Sequence, residues 1–174
     1  MTEKQVDLTP SPSPPPVPIP EDLKTQMKFG APTDEDMVAL ASLRSSSDPW
    51  KGRGEESADS LEALTKLRPF ISVARLNAIV IGYITIERDG PVPGAAYLRN
   101  IVVKQELRQK GMGAVVLEQG LSVARDMNRK TLALRVDPAN SPAVSFYRKA
   151  GFTTVATVVS KKSGKLRLLM SREL

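Results

Sequence analysis

Apolar positions change their rhythm along the chain, and each change marks an element. After Thr33 they fall into a helical step: Met37, Leu40 and Leu43 lie three apart, with Ala41 on the same broad face. Thr33 followed by Asp34, Glu35 and Asp36 gives an N-cap and an acidic first turn. Residues 26–29 ahead of it read as a short strand. Leu61, Leu64 and Leu67 mark a second helix that Pro69 ends. Between the two helices, residues 45–57 form a polar loop with a lone Trp50.

The rhythm then shifts to strands. Residues 70–76 and 79–87 flank Asn77-Ala78, a tight hairpin, and Asp89-Gly90-Pro91 turns the chain again. Residues 97–103 make a further strand. From Gly111 a helical stripe of Met112, Val115, Val116, Val123 and Met127 follows. In residues 131–136, Leu132, Leu134 and Val136 share one strand face. Residues 141–150 are a helix stopped by Gly151, and 152–160 with 165–171 close the chain as a hairpin near Ser163-Gly164. The order β-α-α-β-β-β-α-β-α-β-β defines a mixed α/β domain over residues 24–174.

Ahead of that domain, residues 1–23 carry seven prolines between Pro10 and Pro20. Such a stretch loses amide donors and favours extended polyproline II, so it is expected to be a disordered tail. It serves as a spacer or leader, with docking of a partner through its PxxP-like run as the alternative. No stretch reaches the ~20 apolar residues of a membrane span, and no apolar signal core is present, so a cytoplasmic protein is expected.

The chain of 174 residues has no Cys and no His. This excludes disulfides, thiolate nucleophiles, Ser-His-Asp triads and metal sites of the usual zinc ligand sets. Chemistry must run on carboxylates, Tyr, Lys, Arg, hydroxyls and backbone groups. The net charge of +6 favours an anionic ligand. Without a dense basic run interleaved with aromatics, it argues against a nucleic-acid partner.

Two motifs carry the chemistry. Arg108-Gln109-Lys110-Gly111-Met112-Gly113 stands between a β-branched strand and an amphipathic helix. Its glycines let backbone amides approach a ligand, the helix start adds unpaired N–H groups, and Arg108 and Lys110 add full charges. A diphosphate is the natural guest. The sequence has neither a Walker P-loop nor a GxGxxG fingerprint there. The second motif runs from Asn140 through Phe146-Tyr147 to Gly151-Phe152. If the helix extends back to Asn140, the amide and the Tyr147 phenol share one side, separated by about 10 Å of rise.

Together these motifs resemble the GNAT superfamily of acyl-CoA-dependent N-acetyltransferases, most specifically from Leu98 to Phe152. The resemblance implies a centrally splayed β-sheet flanked by helices, with acetyl-CoA as co-substrate in the gap. It implies that the strand carrying Ile101, Val102 and Val103 pairs with the pantetheine arm through the backbone of Ile101 and Val103. The 108–113 loop would take the pyrophosphate, Asn140 would contact the pantetheine arm, and Tyr147 would serve the departing sulfur. An amine acceptor would attack the thioester directly, in a ternary complex. A homodimer is open at this point.

The chain departs from the pattern at the general base. N-terminal acetyltransferases of the ribosomal-protein type place a Glu five residues before the motif Asn; here Arg135 stands there. Arginine stays protonated and cannot be a base. Glu87 and Asp137 are the candidate substitutes, with an acceptor of modest pKa and no protein base as the alternative. Arg99 and Arg135 either clamp an acceptor anion or are solvated, and Trp50 either packs on substrate or anchors the surface. A domain that binds acyl-CoA without turnover is the competing reading.

Overall fold

The computed structural model describes residues 21–174, so the proline-rich stretch lies outside the described residues. In chain order the elements are α1 (Glu21–Thr25), β1 (Met27–Gly30), α2 (Asp34–Ser45), α3 (Ser57–Leu67), β2 (Ile71–Leu76), β3 (Ile79–Glu87), β4 (Ala96–Val103), α4 (Met112–Asp126), β5 (Thr131–Val136), α5 (Ser141–Lys149), β6 (Thr153–Val159) and β7 (Leu166–Glu173). Among the described residues α1 adds to the expected order, with short 3-10 turns at Lys51–Arg53, Arg68–Phe70 and Gln105–Leu107; α1 takes in the last three residues assigned to the tail.

Local chemistry accounts for the elements nearest the cleft. α2 opens on a reciprocal capping box: the Asp36 amide donates to the Thr33 hydroxyl at 3.2 Å, and the Thr33 amide to the Asp36 carboxylate at 2.6 Å. β2 and β3 are joined at Asn77 and Ala78, whose φ values of 48° and 66° are those of a tight two-residue turn.

One seven-stranded sheet runs in the order β1-β2-β3-β4-β5-β7-β6. The C-terminal hairpin was legible, but not the insertion of β7 between β5 and β6. Every pairing is antiparallel except β4 with β5. One sheet face packs Ile84, Ile86, Leu98, Leu132 and Leu134 against Val116, Leu117 and Leu121 of α4, with Val144 and Tyr147 of α5. The other sets Val73, Tyr83 and Val102 against Met37, Leu40 and Leu64 of α2 and α3. At Gly82 the strands approach so closely that a Cβ would lie 2.5 Å from the Val102 carbonyl oxygen. Among the described residues, no helix is long and apolar enough to cross a membrane.

Candidate active site

The sheet opens where its two parallel strands meet. β4 and β5 pair only through Ala96–Leu132, Tyr97–Ala133 and Leu98–Leu134. Beyond Leu98, β4 stays paired with β3 as far as Val103, while β5 keeps its pairing with β7 through Val136. A wedge-shaped gap results at the carboxyl ends of both strands, the place where open α/β sheets receive ligands.

The antiparallel ladder fixes which groups face this gap. The Lys104 amide donates to the Ile81 carbonyl at 2.9 Å, so by alternation Tyr83–Val102 and Thr85–Asn100 are the hydrogen-bonded pairs. Ile101 and Val103 therefore turn their backbone groups away from β3, toward the gap. Val102, expected among the ligand-facing residues, instead directs its backbone to β3 and its side chain into the α2–α3 core.

At the wide end of the gap the chain enters the 108–113 loop. Gln109 takes φ 59° and Gly111, the α4 N-cap, takes φ 86°. No side chain caps this helix, and the amides of Met112 and Gly113 stay open while those of Ala114 and Val115 donate to the Gly111 carbonyl. Gly111 is needed for its left-handed backbone. Arg108 is committed internally: its Nε donates to the Val103 carbonyl at 2.9 Å and an Nη to the Ser47 hydroxyl at 2.8 Å. It braces the loop against β4 and the chain after α2. The Met112 side chain is fully buried in the core, leaving only its backbone to the loop. Lys24 of α1, which sequence reasoning missed, lies against Gly111, its Cε 3.6 Å from where a Cβ would stand.

α5 crosses the other side of the gap and joins the two motifs, because Phe146 packs 3.5 Å from the Cβ position of Gly113. The helix begins at Ser141. Asn140 is its N-cap, with ψ 70° and its Oδ1 accepting from the Ala143 amide at 3.2 Å. Helical geometry does not reach back to Asn140, so the shared side with Tyr147 does not follow from it. The Asn140 side chain is exposed and keeps its amide N–H group to offer. Tyr147 is buried between Phe146 and Phe152, with ring centroids at 5.3 and 5.7 Å. Among the described residues its hydroxyl has no hydrogen-bond partner. Burial, and then the neighbouring Tyr97 phenol, push its pKa well above the usual tyrosine value.

Tyr97 was not singled out from the sequence, yet it lines a pocket of about 370 Å³ with Asp89, Gly90, Pro91, Arg99 and Arg135. Burial raises its pKa, with Arg99 and Arg135 opposing the rise. The Arg99 guanidinium sits 5.4 Å from the Tyr97 ring and donates to Glu87 at 2.6 Å. Glu87 thus has one carboxylate oxygen occupied. Asp137 has both taken, one by Arg167 at 3.0 Å and one by the Ala139 amide at 3.0 Å. Trp50 does not reach the gap. It is buried with α2 and α3, its ring 4.6 Å from the Arg44 guanidinium.

Known structures share this architecture. Ard1 from Thermoplasma volcanium superposes with TM-score 0.69 at 21% identity, covering 86% of this chain and 98% of that one. Naa50 of Arabidopsis thaliana, in complex with the bisubstrate analogue CoA-Ac-MVNAL, gives 0.63 at 22% identity over 86% and 99%. The fold is that of the GNAT acetyltransferases. Residues 27–152 match the model of the Acetyltransferase (GNAT) family, and the chain belongs to that family. A mycothiol acetyltransferase of Clavibacter sepedonicus is 26% identical over 134 residues, 75% of this chain and 43% of its own length. The chain spans less than half the length of the curated relatives it matches.

Proposed function

We propose that the protein transfers an acetyl group from acetyl-CoA to a primary amine, directly and within a ternary complex. The observation that carries this reading is the gap itself. Backbone groups of Ile101 and Val103 line one edge, the open amides before α4 close its wide end, and the Tyr147 phenol stands at its flank. The pantetheine amides pair with Ile101 and with the Val103 N–H, since Arg108 occupies the Val103 carbonyl. The pyrophosphate meets the amides of residues 109–113 together with Lys110, while Arg108 braces the loop. Asn140 offers its amide N–H to the pantetheine arm.

In the reaction the neutral amine attacks the thioester carbonyl carbon, and the C–S bond breaks as the C–N bond forms. A thiol has a reference pKa near 8.5, below that of Tyr147, so full proton transfer from this phenol is uphill. Tyr147 instead donates a hydrogen bond to the departing sulfur, and the ammonium of the adduct supplies the proton that thiol and solvent share. Proximity provides much of the acceleration. With Glu87 and Asp137 held by arginines, an amine of modest pKa is favoured. An α-amine near 7.7–8.0 is roughly a tenth neutral at pH 7, whereas a lysine near 10.4 is neutral below about one part in a thousand.

Thermal melts of the full chain with CoA, combined with thiol release from acetyl-CoA across amines and peptides, test this reading. A CoA-dependent rise in Tm with thiol release from α-amines supports it. A rise with no release from any acceptor favours the second reading, a regulatory acyl-CoA-binding domain, for which the ion-paired state of both candidate bases speaks. No rise at millimolar CoA sinks both.

A further inference from the structure

We propose that the acceptor is a primary amine that also carries an anionic group, a carboxylate or phosphate, and that Arg135 grips that anion; this rests on the acetyltransferase reading above. The pocket lined by Tyr97, Arg99 and Arg135 is where the charges fail to balance. Arg99 is matched by Glu87, and the Asp89 carboxylate on the rim is matched by Arg129. Arg135 has no hydrogen bond or ion pair among the described residues. One uncompensated guanidinium therefore faces the pocket beside an aromatic wall. Such a planar fork takes a carboxylate or phosphate through two parallel N–H donors.

Position gives the charge its meaning. Arg135 is the first residue of β5 past the last rung shared with β4, so it stands at the apex of the gap. Tyr97 belongs to that pocket, and its phenol lies near enough to Tyr147 to perturb it. An acceptor whose anion sits on Arg135 thus brings its amine to the side of the gap where Tyr147 serves the leaving sulfur. A volume of about 370 Å³ suits an amino-acid-sized group. That group is either a free amino acid or the first residues of a peptide bearing an acidic side chain.

The experiment uses the full chain and its Arg135→Gln and Arg135→Lys variants, each first checked by melting; the exposed side chain leaves folding intact. Acceptors come in matched pairs: peptides with Asp or Asn at the second position, amino acids and their carboxamides, and 2-aminoethyl phosphate with ethanolamine. The readout is the anionic-over-neutral ratio of kcat/KM in the wild type divided by the same ratio in Arg135→Gln, which cancels differences in amine basicity. A quotient of tenfold or more in any pair, with the KM for acetyl-CoA unchanged and partial rescue by Arg135→Lys, is the expected result, and the responding pair names the source. A quotient near one in every pair, with neutral amines turned over, overturns the anion site and leaves the acetyltransferase reading standing. Calorimetric titration of the same pairs onto the CoA-bound protein supplies the readout without turnover. Arg135-dependent binding of anionic members without thiol release would keep the anion site and overturn the transfer reading.

Discussion

Nothing in its packing requires Tyr147 to be a tyrosine rather than a phenylalanine. It sits among aromatic neighbours where Phe would pack, and its hydroxyl meets no partner among the described residues. Tyr147→Phe should therefore leave stability unchanged, because the hydroxyl makes no bond that the change would break. Turnover should fall about 100-fold at an unchanged KM for acetyl-CoA, the low end of the range for one acid–base group, because the phenol donates a hydrogen bond and keeps its proton. Since burial lifts the phenol above its ordinary pKa, it stays protonated across neutral pH. The kcat/KM profile should rise with pH as the acceptor amine loses its proton, and show no descending limb below pH 10. A limb near pH 8–9 would assign the sulfur to a different group. At this scale the glycine-rich 108–113 loop could be read from residue type, whereas the role expected of Tyr147 came from the family resemblance. Tyr97, Lys24 and the bracing role of Arg108 were not legible, since each depends on a neighbour distant in the chain: Tyr147, Gly111 and Ser47 respectively.

Elements were the most readable level, because strand and helix periods are written locally. α4 and the core face of β5 follow from spacing alone, although of the expected α4 stripe only Met112 and Val116 are buried, with Leu117, Leu121 and Ala124 completing its core face. The gap was a different matter. It came from the family resemblance, since nothing in the residues of β4 or β5 says that pairing stops after three rungs. Close approach of β3 to β4 at Gly82 holds the edge of that gap in place. Gly82→Ala would press a methyl group onto the Val102 carbonyl, which is backbone and cannot rotate away. A loss of about 1–3 kcal/mol is expected in denaturant unfolding, with weaker binding of CoA. Unchanged stability would mean that the two strands are free to separate there.

Across the whole molecule, two carboxylates tie α2 to its surroundings: Asp36 to Arg75 of β2, and Glu55 to Arg44. Burial alone would raise both pKa values, but hydrogen bonds from Arg75 and Thr33, and from Arg44 and Ser60, hold them below their ordinary values of 3.8 and 4.5. A depressed carboxylate adds stability above its unfolded pKa and loses it as pH falls through the folded one. Tm should be level from neutrality to about pH 5 and drop below about pH 4.5, where these groups begin to protonate. Asp36→Asn should cost about 3 kcal/mol at pH 7, as expected when one member of a largely buried pair is removed, and flatten that acid limb. An acid limb as steep as the wild type's would place the responsible carboxylates elsewhere. These ties could not be read from sequence because Asp36 and Arg75 lie far apart in the chain.

Three rungs are all the backbone pairing between the half-sheet ending in β4 and the half-sheet beginning with β5, and α4 packs across both. In its backbone pairing the sheet is two slabs sharing a short seam. A guest with amides along its length would complete the missing ladder as an extra strand, so under the proposed function the sheet would be most nearly continuous only while such a guest is bound.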